Sequence, residues 1–140
     1  MENIITDRED WTSSKIVELV QAAAERIEDA HARLKASLGK QPEDPLKLLI
    51  VQQTTMVPAI LFQQNRMIVT LEQRYGKAFQ SVCDSEIKDI VNIAQNIQLT
   101  IENCMDCATP EAAQALIGDI SRLNILQQRI SGKMMKVRLN

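Results

Sequence analysis

The strongest constraint on the fold is the stretch 44–79, in which an 11-residue unit occurs twice in succession. The two copies are IVQQTTMVPAI at residues 50–60 and LFQQNRMIVTL at residues 61–71. Eleven residues make about three helical turns, so equivalent positions lie on nearly the same side of a helix. The repeat therefore predicts one long apolar helix. Its main stripe is Leu49, Ile60 and Leu71, and the flank of that stripe is Leu46, Val57, Ile68 and Phe79.

Apolar residues elsewhere recur at alternating spacings of three and four, which is typical of helices packed in a bundle. With four Gly and 3% aromatic residues, the composition argues against a sheet protein. We therefore predict an all-α fold, either an antiparallel four-helix bundle or tandem helical hairpins. The predicted helices cover residues 13–38, 45–79, 85–106 and 110–137. Their seams outside the long helix are Ile16, Val20, Ala23, Ile27, Ala30 and Leu34; Ile87, Ile90, Ala94, Ile97, Ile101 and Cys104; and Ala113, Leu116, Ile120, Leu123, Gln127, Ile130, Met134 and Val137.

Prolines mark the starts of two predicted helices and interrupt one. Asp44-Pro45 and Thr109-Pro110 each combine a capping side chain with a proline at the first helical position. Pro58 instead lies inside the long helix, where it removes a backbone hydrogen bond to Thr54. Because the apolar phase continues through Pro58, we predict one kinked helix rather than two.

The long helix has two features that a simple amphipathic helix lacks. Gln53 and Gln64 fall inside its apolar stripe, and Val51, Phe62 and Val69 gather on the opposite side. A helix that is apolar on two sides is central in a bundle or is covered by another subunit. Gln127 lies on the seam of the last helix, and a paired buried amide can fix register or partner number. A Gln at a seam edge can also simply reach water. The candidate interface residues are Val51, Phe62, Val69, Gln53, Gln64 and Gln127.

Length and charge exclude several classes of function. We predict a loose N-terminal arm, residues 1–11, and one helical domain, residues 12–140. Trp11 can fix the end of the arm to the bundle. A net charge of −2 gives no electrostatic reason to expect nucleic acid. The N-terminus is acidic where a signal peptide is basic, and no apolar run is long enough for a membrane span. We expect synthesis in the cytoplasm and, if the protein is exported, export without a cleaved signal.

His31 and the Cys104-x-x-Cys107 pair are the remaining candidates for chemistry. His31 is placed faintly like the histidine of helical phosphotransfer domains, and its simpler interpretation is a residue on the flank of the first seam. The two cysteines lack the further ligands that a structural zinc site needs, and an odd total of three argues against a disulfide framework. No nucleophile–base pair or phosphate loop can be assembled. We therefore expect no enzyme activity, no cofactor and no metal.

The first eighty residues resemble a type III secretion needle subunit or the related inner-rod proteins. The residues that carry the resemblance are Asp10, Trp11 and Thr12, the turn segment 40–45 (KQPEDP), and Leu46 to Gln52; residues 125–133 (ILQQRISGK) are rod-like as well. The resemblance implies a helical hairpin, self-assembly through the long helix and export without a signal peptide.

Three hypotheses of function follow. The first is a structural subunit that self-associates through its long helix as part of a secretion apparatus. The second is a cytosolic dimeric chaperone or adaptor that binds a partner helix, and the third is a phosphotransfer bundle that uses His31. The expected partner is the chain itself, as a homo-oligomer, or another helical protein.

Overall fold

The computed structural model describes residues 11–40 and 44–139, and this part of the chain contains helices and no strand. The helices are α1 (Ser13–Lys40), α2 (Pro45–Thr54), α3 (Val57–Tyr75), α4 (Lys77–Asn103) and α5 (Pro110–Leu139). Since α2 and α3 follow each other as two segments of one column, the predicted all-α bundle of four columns is confirmed. The predicted arm, residues 1–11, lies outside the described residues except for Trp11, and the predicted turn at residues 40–43 lies outside them except for Lys40.

Three helices begin at capping side chains, and two of these caps, Asp44 and Thr109, are predicted by the sequence. Asp44 Oδ1 accepts hydrogen bonds from the backbone N–H groups of Leu46 and Lys47 at 3.2 and 3.1 Å. Thr109 Oγ1 accepts from the N–H of Ala112 at 3.1 Å, and Thr12 caps α1 in the same way. These oxygens satisfy first-turn donors that have no partner inside the helix.

The predicted kink at Pro58 is present: the column Pro45–Tyr75 continues through it, and the ladder of backbone hydrogen bonds is interrupted just before Pro58. Hydrogen bonding stops after Thr54 and resumes at Val57, because Pro58 has no N–H to give to Thr54. Thr55 and Met56 nevertheless keep right-handed helical dihedral angles, with φ/ψ of −54/−42° and −93/−4°. The hydroxyls of Thr54 and Thr55 donate to the carbonyls of Ile50 and Val51, both at 2.8 Å. The backbone dihedral angles therefore remain those of a right-handed helix, while the backbone hydrogen bonds of the helix are interrupted.

The boundary between the second and third columns lies at Gly76, earlier than predicted. Gly76 has φ +61° and ψ −134°, a conformation essentially restricted to glycine. Helix α4 begins directly after it, so the predicted helices 45–79 and 85–106 have the wrong junction. Cys83, at φ −111° and ψ 17°, is a kink inside α4 rather than a break between helices.

The bundle is built around α1 and α4, which lie side by side and run in the same direction. Ser13 at the start of α1 hydrogen-bonds to Gln80 at the start of α4, through both its N–H (2.9 Å) and its hydroxyl (2.6 Å). Helices α2 and α3 return along α1, and α5 returns along α4 and contacts α2. Going around the bundle, the order of the columns is α1, α2/α3, α5 and α4.

The predicted seams of α1 and α4 are confirmed, since every one of their residues is buried. The seam of α2 and α3 is rotated from its predicted position: Leu49, Ile60 and Leu71 are only partly buried. Its buried residues step by three and four along Lys47, Ile50, Thr54, Val57, Leu61, Gln64 and Ile68. Because three of these residues are polar, hydrophobicity alone places the centre of the stripe on the wrong side.

Polar contacts join the inner face of α2 and α3 to α1. In order along α2 and α3, they are Lys47 Nζ to Ser37 Oγ (3.2 Å), Thr54 Oγ1 to His31 Nδ1 (2.9 Å) and Asn65 Nδ2 to the carbonyl of Val17 (3.1 Å). The partners move backwards along α1 as the contacts advance along α2 and α3. Buried polar groups are costly without a partner, so these pairs favour one antiparallel register of the hairpin.

The segment Pro45–Tyr75 is long and apolar enough to cross a membrane when only length and composition are considered. A core helix of a folded bundle passes the same test. In this fold the segment packs against α1, α4 and α5, and its buried Gln64 and Asn65 hydrogen-bond to α5 and α1.

We expect Gly76→Ala to destabilise the bundle by about 1–3 kcal/mol, because a Cβ is strained at this combination of φ and ψ. Gly132→Ala is the matched control: Gly132 is helical, and nothing lies within 4 Å of an added Cβ. The control should gain about 0.5–1 kcal/mol from higher helix propensity. Urea unfolding followed by circular dichroism measures both variants. Equal stability of Gly76→Ala and the parent would contradict the assigned turn.

Candidate association surface

Helices α3 and α5 lie side by side in the bundle with little direct packing between them. Helix α3 packs on α1 and α4, and α5 packs on α4 and α2. The two are joined by a hydrogen bond from Gln64 Nε2 to the carbonyl of Leu123, at 2.9 Å. Past this point, toward the carboxyl ends of both helices, the space between them opens to the surface.

We call this opening the α3–α5 groove. It is lined by Met67, Leu71, Arg74 and Tyr75 of α3 and by Ser131, Met134, Met135 and Arg138 of α5, and its volume is about 240 Å³. Its floor is apolar, its lining includes two arginines and no carboxylate, and the side chain of Met135 is 62% exposed. The groove continues along α5 into a shallower depression that shares Ser131 and Met135 and includes Gln127.

The position of α5 along this groove is fixed from the α4 side. Lys133 Nζ forms an ion pair with Glu86 Oε2 at 2.7 Å and also donates to the carbonyl of Val82 at 3.3 Å. Glu86 is buried, whereas Lys133 is nearly half exposed. A buried carboxylate needs a charged or hydrogen-bonding partner, so this pair holds the last turns of α5 beside the first turns of α4.

The residues of the second apolar stripe predicted on the long helix lie in different environments in the fold. Val51 is only 7% exposed and belongs to the core, so its predicted position on the outer face is wrong. Phe62 is half-buried and Val69 is 40% exposed. These two line a shallow depression between α3 and α1 with Val17 and Gln21, of about 630 Å³. Phe62 and Val69 therefore remain accessible to a partner, and their role as an interface stays a prediction.

The three predicted glutamines lie in three different environments. Gln64 is fully buried, as predicted, and its Nε2 is bonded while its Oε1 has no hydrogen-bond partner. Gln53 is exposed, so its predicted place inside the apolar stripe is wrong; the rotation of the seam carries it outward. Gln127 is half-buried beside the α3–α5 groove, and its role in association stays a prediction.

A further groove of about 410 Å³ lies between α4 and α5 and is flanked by Arg122 and Arg129. Arg122 is already engaged by Asp119, a carboxylate only 6% exposed on the same helix. Burial raises the pKa of Asp119, and the charge and hydrogen bond of Arg122 counteract that rise. This groove lies between two helices that are in direct contact along their length.

His31 is half-buried in the hairpin and hydrogen-bonds to Thr54 through Nδ1. Burial, and then the positive charge of Lys35, lower its pKa below the usual value. The neutral ring is thereby favoured in the folded chain. The hydrogen bond to Thr54 gives His31 a structural role, because it joins α1 to α2.

The three cysteines differ in their exposure to solvent. Cys83 and Cys104 are buried, Cys107 is exposed, and all three are free thiols. Burial, and then the neighbouring Cys107, raise the pKa of the Cys104 thiol, which keeps it protonated and unreactive at neutral pH. Within the described residues, no group of three or more His, Cys, Asp or Glu side chains is placed to hold a metal ion.

Most of the α3–α5 groove was not identified from the sequence. The periodicity assigns Leu71 and Met134 to seams, which gives no reason to expect them beside an opening. One signal was present: Met134 and Met135 are adjacent, so only one of them can face the core of a helix. Methionine is flexible and polarisable, which suits a surface that adapts to a partner.

The different burial of Val51 and Val69 predicts different effects of the same substitution. Val51→Asp should lower the free energy of unfolding by roughly 2 kcal/mol or more, because it places a charge in the core. Val69→Asp should change it by no more than about 0.5 kcal/mol. Chemical denaturation of both variants gives the comparison. Equal losses would contradict the separation of the stripe into a core residue and a surface residue.

The lowered pKa of His31 predicts a pH-dependent contribution to stability. The unfolded chain binds the proton more readily than the folded chain, so the contribution is present above pH 6.5 and is lost as the pH falls through the folded pKa. The stability advantage of the parent over His31→Gln should therefore shrink between pH 7.5 and pH 5.5. Thermal unfolding across this range measures it, and an advantage that grows toward low pH would contradict the assigned direction.

The chain matches no family model, no curated protein and no solved structure. The function proposed below therefore rests on the packing of the helices, on their exposed faces and on the sequence resemblance described above.

Proposed function

We propose that this chain is a non-enzymatic helical protein that works by binding another helix in the α3–α5 groove, and that its first partner is a second copy of itself. The observation that carries the proposal is the apolar floor left uncovered between two long helices, with Met135 62% exposed above it. Apolar surface gathered in a groove is typical of sites where a protein partner binds.

The shape of the groove supports a helical partner. Helices α3 and α5 run in the same direction, since each is antiparallel to α4. A third helix laid between two helices buries a stripe of side chains at spacings of three and four. Met67, Met134 and Met135 can adjust to such a stripe with little strain.

The resemblance of the first eighty residues to needle and inner-rod subunits supports a role as a structural component of a type III secretion apparatus. The groove and the helix that fills it are different patches of the same chain. Such a contact is heterologous, so it can repeat from copy to copy into a ring or a filament. A subunit of this kind is made in the cytoplasm and exported without a cleaved signal.

The second candidate is a cytosolic dimeric chaperone or adaptor whose groove holds a helix of another protein. The three methionines of the groove favour it, because methionine-rich surfaces accept varied partners. The two candidates differ in solution: assembly continues with concentration in the first and stops at the dimer in the second. Light scattering across a concentration series separates them.

The α3–α5 groove predicts which substitution on α5 weakens association. Met135→Asp should raise the dissociation constant about tenfold or more, because it puts a charge where about 1.5–3 kcal/mol of apolar burial is expected. Ile117→Asp is the matched control, since Ile117 is 45% exposed on α5 outside the groove. Size-exclusion chromatography with light scattering reports association, and circular dichroism checks helicity. A parent chain that stays monomeric at high concentration, or equal effects of both variants, would overturn the proposal.

A further inference from the structure

We propose that Cys104 and Cys107 form a reversible disulfide, with a low-molecular-weight disulfide such as oxidised glutathione as the oxidant. We call the pair the dithiol site, and it lies where α4 ends and the connection to α5 begins. The α3–α5 groove lies at the other end of the bundle, beside the start of α4. The dithiol site can therefore act whether or not the chain associates through the groove.

The backbone at the end of α4 brings the two cysteines within reach of a disulfide. Cys104 caps the helix with φ −84° and ψ −2°, and its N–H donates to the carbonyl of Ile101 at 3.1 Å. The N–H of Met105 donates to the carbonyl of Glu102 at 3.4 Å, so the chain turns tightly before it reaches Cys107. The end Cα atoms of a four-residue turn lie less than about 7 Å apart, and a disulfide joins Cα atoms about 4.4–6.8 Å apart.

The two thiols differ in exposure but share one cavity. Cys104 is 1% exposed, whereas Cys107 is open to solvent. Both line a cavity of about 370 Å³ between the end of α4 and the start of α5, together with Thr109 and Ala112. Burial raises the pKa of the Cys104 thiol, and Cys107 raises it further, so the two sulfur atoms are close enough to interact. A dissolved disulfide can therefore reach Cys107 directly, and Cys104 can react only with a sulfur already in the cavity.

Oxidation of the dithiol site takes two successive thiol–disulfide exchanges. In the first, the Cys107 thiolate attacks one sulfur of oxidised glutathione, forms a mixed disulfide and releases one glutathione thiolate. In the second, the Cys104 thiol gives its proton to solvent, and its thiolate attacks Cys107 Sγ and releases the second glutathione thiolate. The two protons lost by the cysteines end on the two released glutathione molecules. Two electrons pass from the protein to the oxidant.

The second exchange is the slower one, because Cys104 must ionise before it attacks. Burial raises the pKa of its thiol and disfavours the thiolate, while the positive charge of Lys47 acts in the opposite direction. Once glutathione is attached to Cys107, the attack takes place within one chain and needs no second encounter. The mixed disulfide should therefore appear first and then be replaced by the bond between the two cysteines. A dithiol reductant reverses both exchanges.

The test measures the masses of the cysteine peptides after the native full-length chain is incubated with glutathione buffers of increasing oxidised fraction. Acid quenches the reaction, a maleimide blocks the free thiols, and trypsin digests the chain. Residues 89–122 form one tryptic peptide, which carries both Cys104 and Cys107. Residues 78–88 form another, which carries the buried Cys83 and serves as the internal control.

We expect the peptide 89–122 to gain one glutathione at early times and later to take up neither glutathione nor maleimide, with the mass of two hydrogen atoms lost. The control peptide should stay unmodified by glutathione, and dithiothreitol should restore both thiols of the dithiol site. In Cys104→Ala the glutathione on Cys107 should persist, because no second thiol can displace it. In Cys107→Ser neither remaining thiol should react, since both are buried.

Three results would overturn the proposed disulfide or its order of formation. The first is a parent chain that keeps the glutathione on Cys107 or takes up none. The second is a disulfide that forms only in urea, which would mean that the folded turn holds the sulfur atoms apart. These two results use the parent chain and do not depend on the folding of a variant. The third is a glutathione adduct in Cys107→Ser of native circular dichroism, which would reject Cys107 as the first site of attack.

Discussion

The register of the bundle depends on polar groups buried between its first two columns. A purely apolar contact between two helices tolerates sliding by a turn, whereas a buried hydrogen bond must be remade in full or lost. Here the side chains of Lys47, Thr54 and Asn65 are bonded to α1 at three levels. The break before Pro58 lies between the second and third levels. We infer that these contacts keep α2 and α3 on one face of α1 even though the helix itself is interrupted.

The open groove follows from that register and from the turn at Gly76. With α2 and α3 held on α1, and α4 beginning directly after Gly76 and lying beside α1, α5 packs mainly against α4 and α2. Gln64 reaches α5 at one point. Beyond it, the half-buried Met67 and Leu71 and the exposed Met135 line the α3–α5 groove, and Met134 lies buried at its base. The uncovered apolar surface is therefore a consequence of the same constraints that order the core.

The helices were predictable from the sequence because capping and periodicity are local. The seams of α1 and α4, and the caps at Asp44 and Thr109, needed only spacing and hydrogen-bond chemistry. The rotation of the long helix was not predictable in this way. Thr54 and Gln64 are buried because partners elsewhere in the chain satisfy them, and a single sequence does not contain that information. Val51 was misplaced for the same reason. The groove was missed because it is a gap between elements, and periodicity describes each element alone.

The central proposal is that the chain associates through the α3–α5 groove, and the methionine methyl groups test it most directly. Met67, Met134 and Met135 line the groove, while Met56 and Met105 lie outside it. With methyl-labelled methionine, NMR spectra are recorded over a range of protein concentration. The account predicts that the three groove methyls shift or broaden as concentration rises, while those of Met56 and Met105 do not. Changes confined to the 63% exposed Met56, or no change in any methyl while the protein associates, would contradict it.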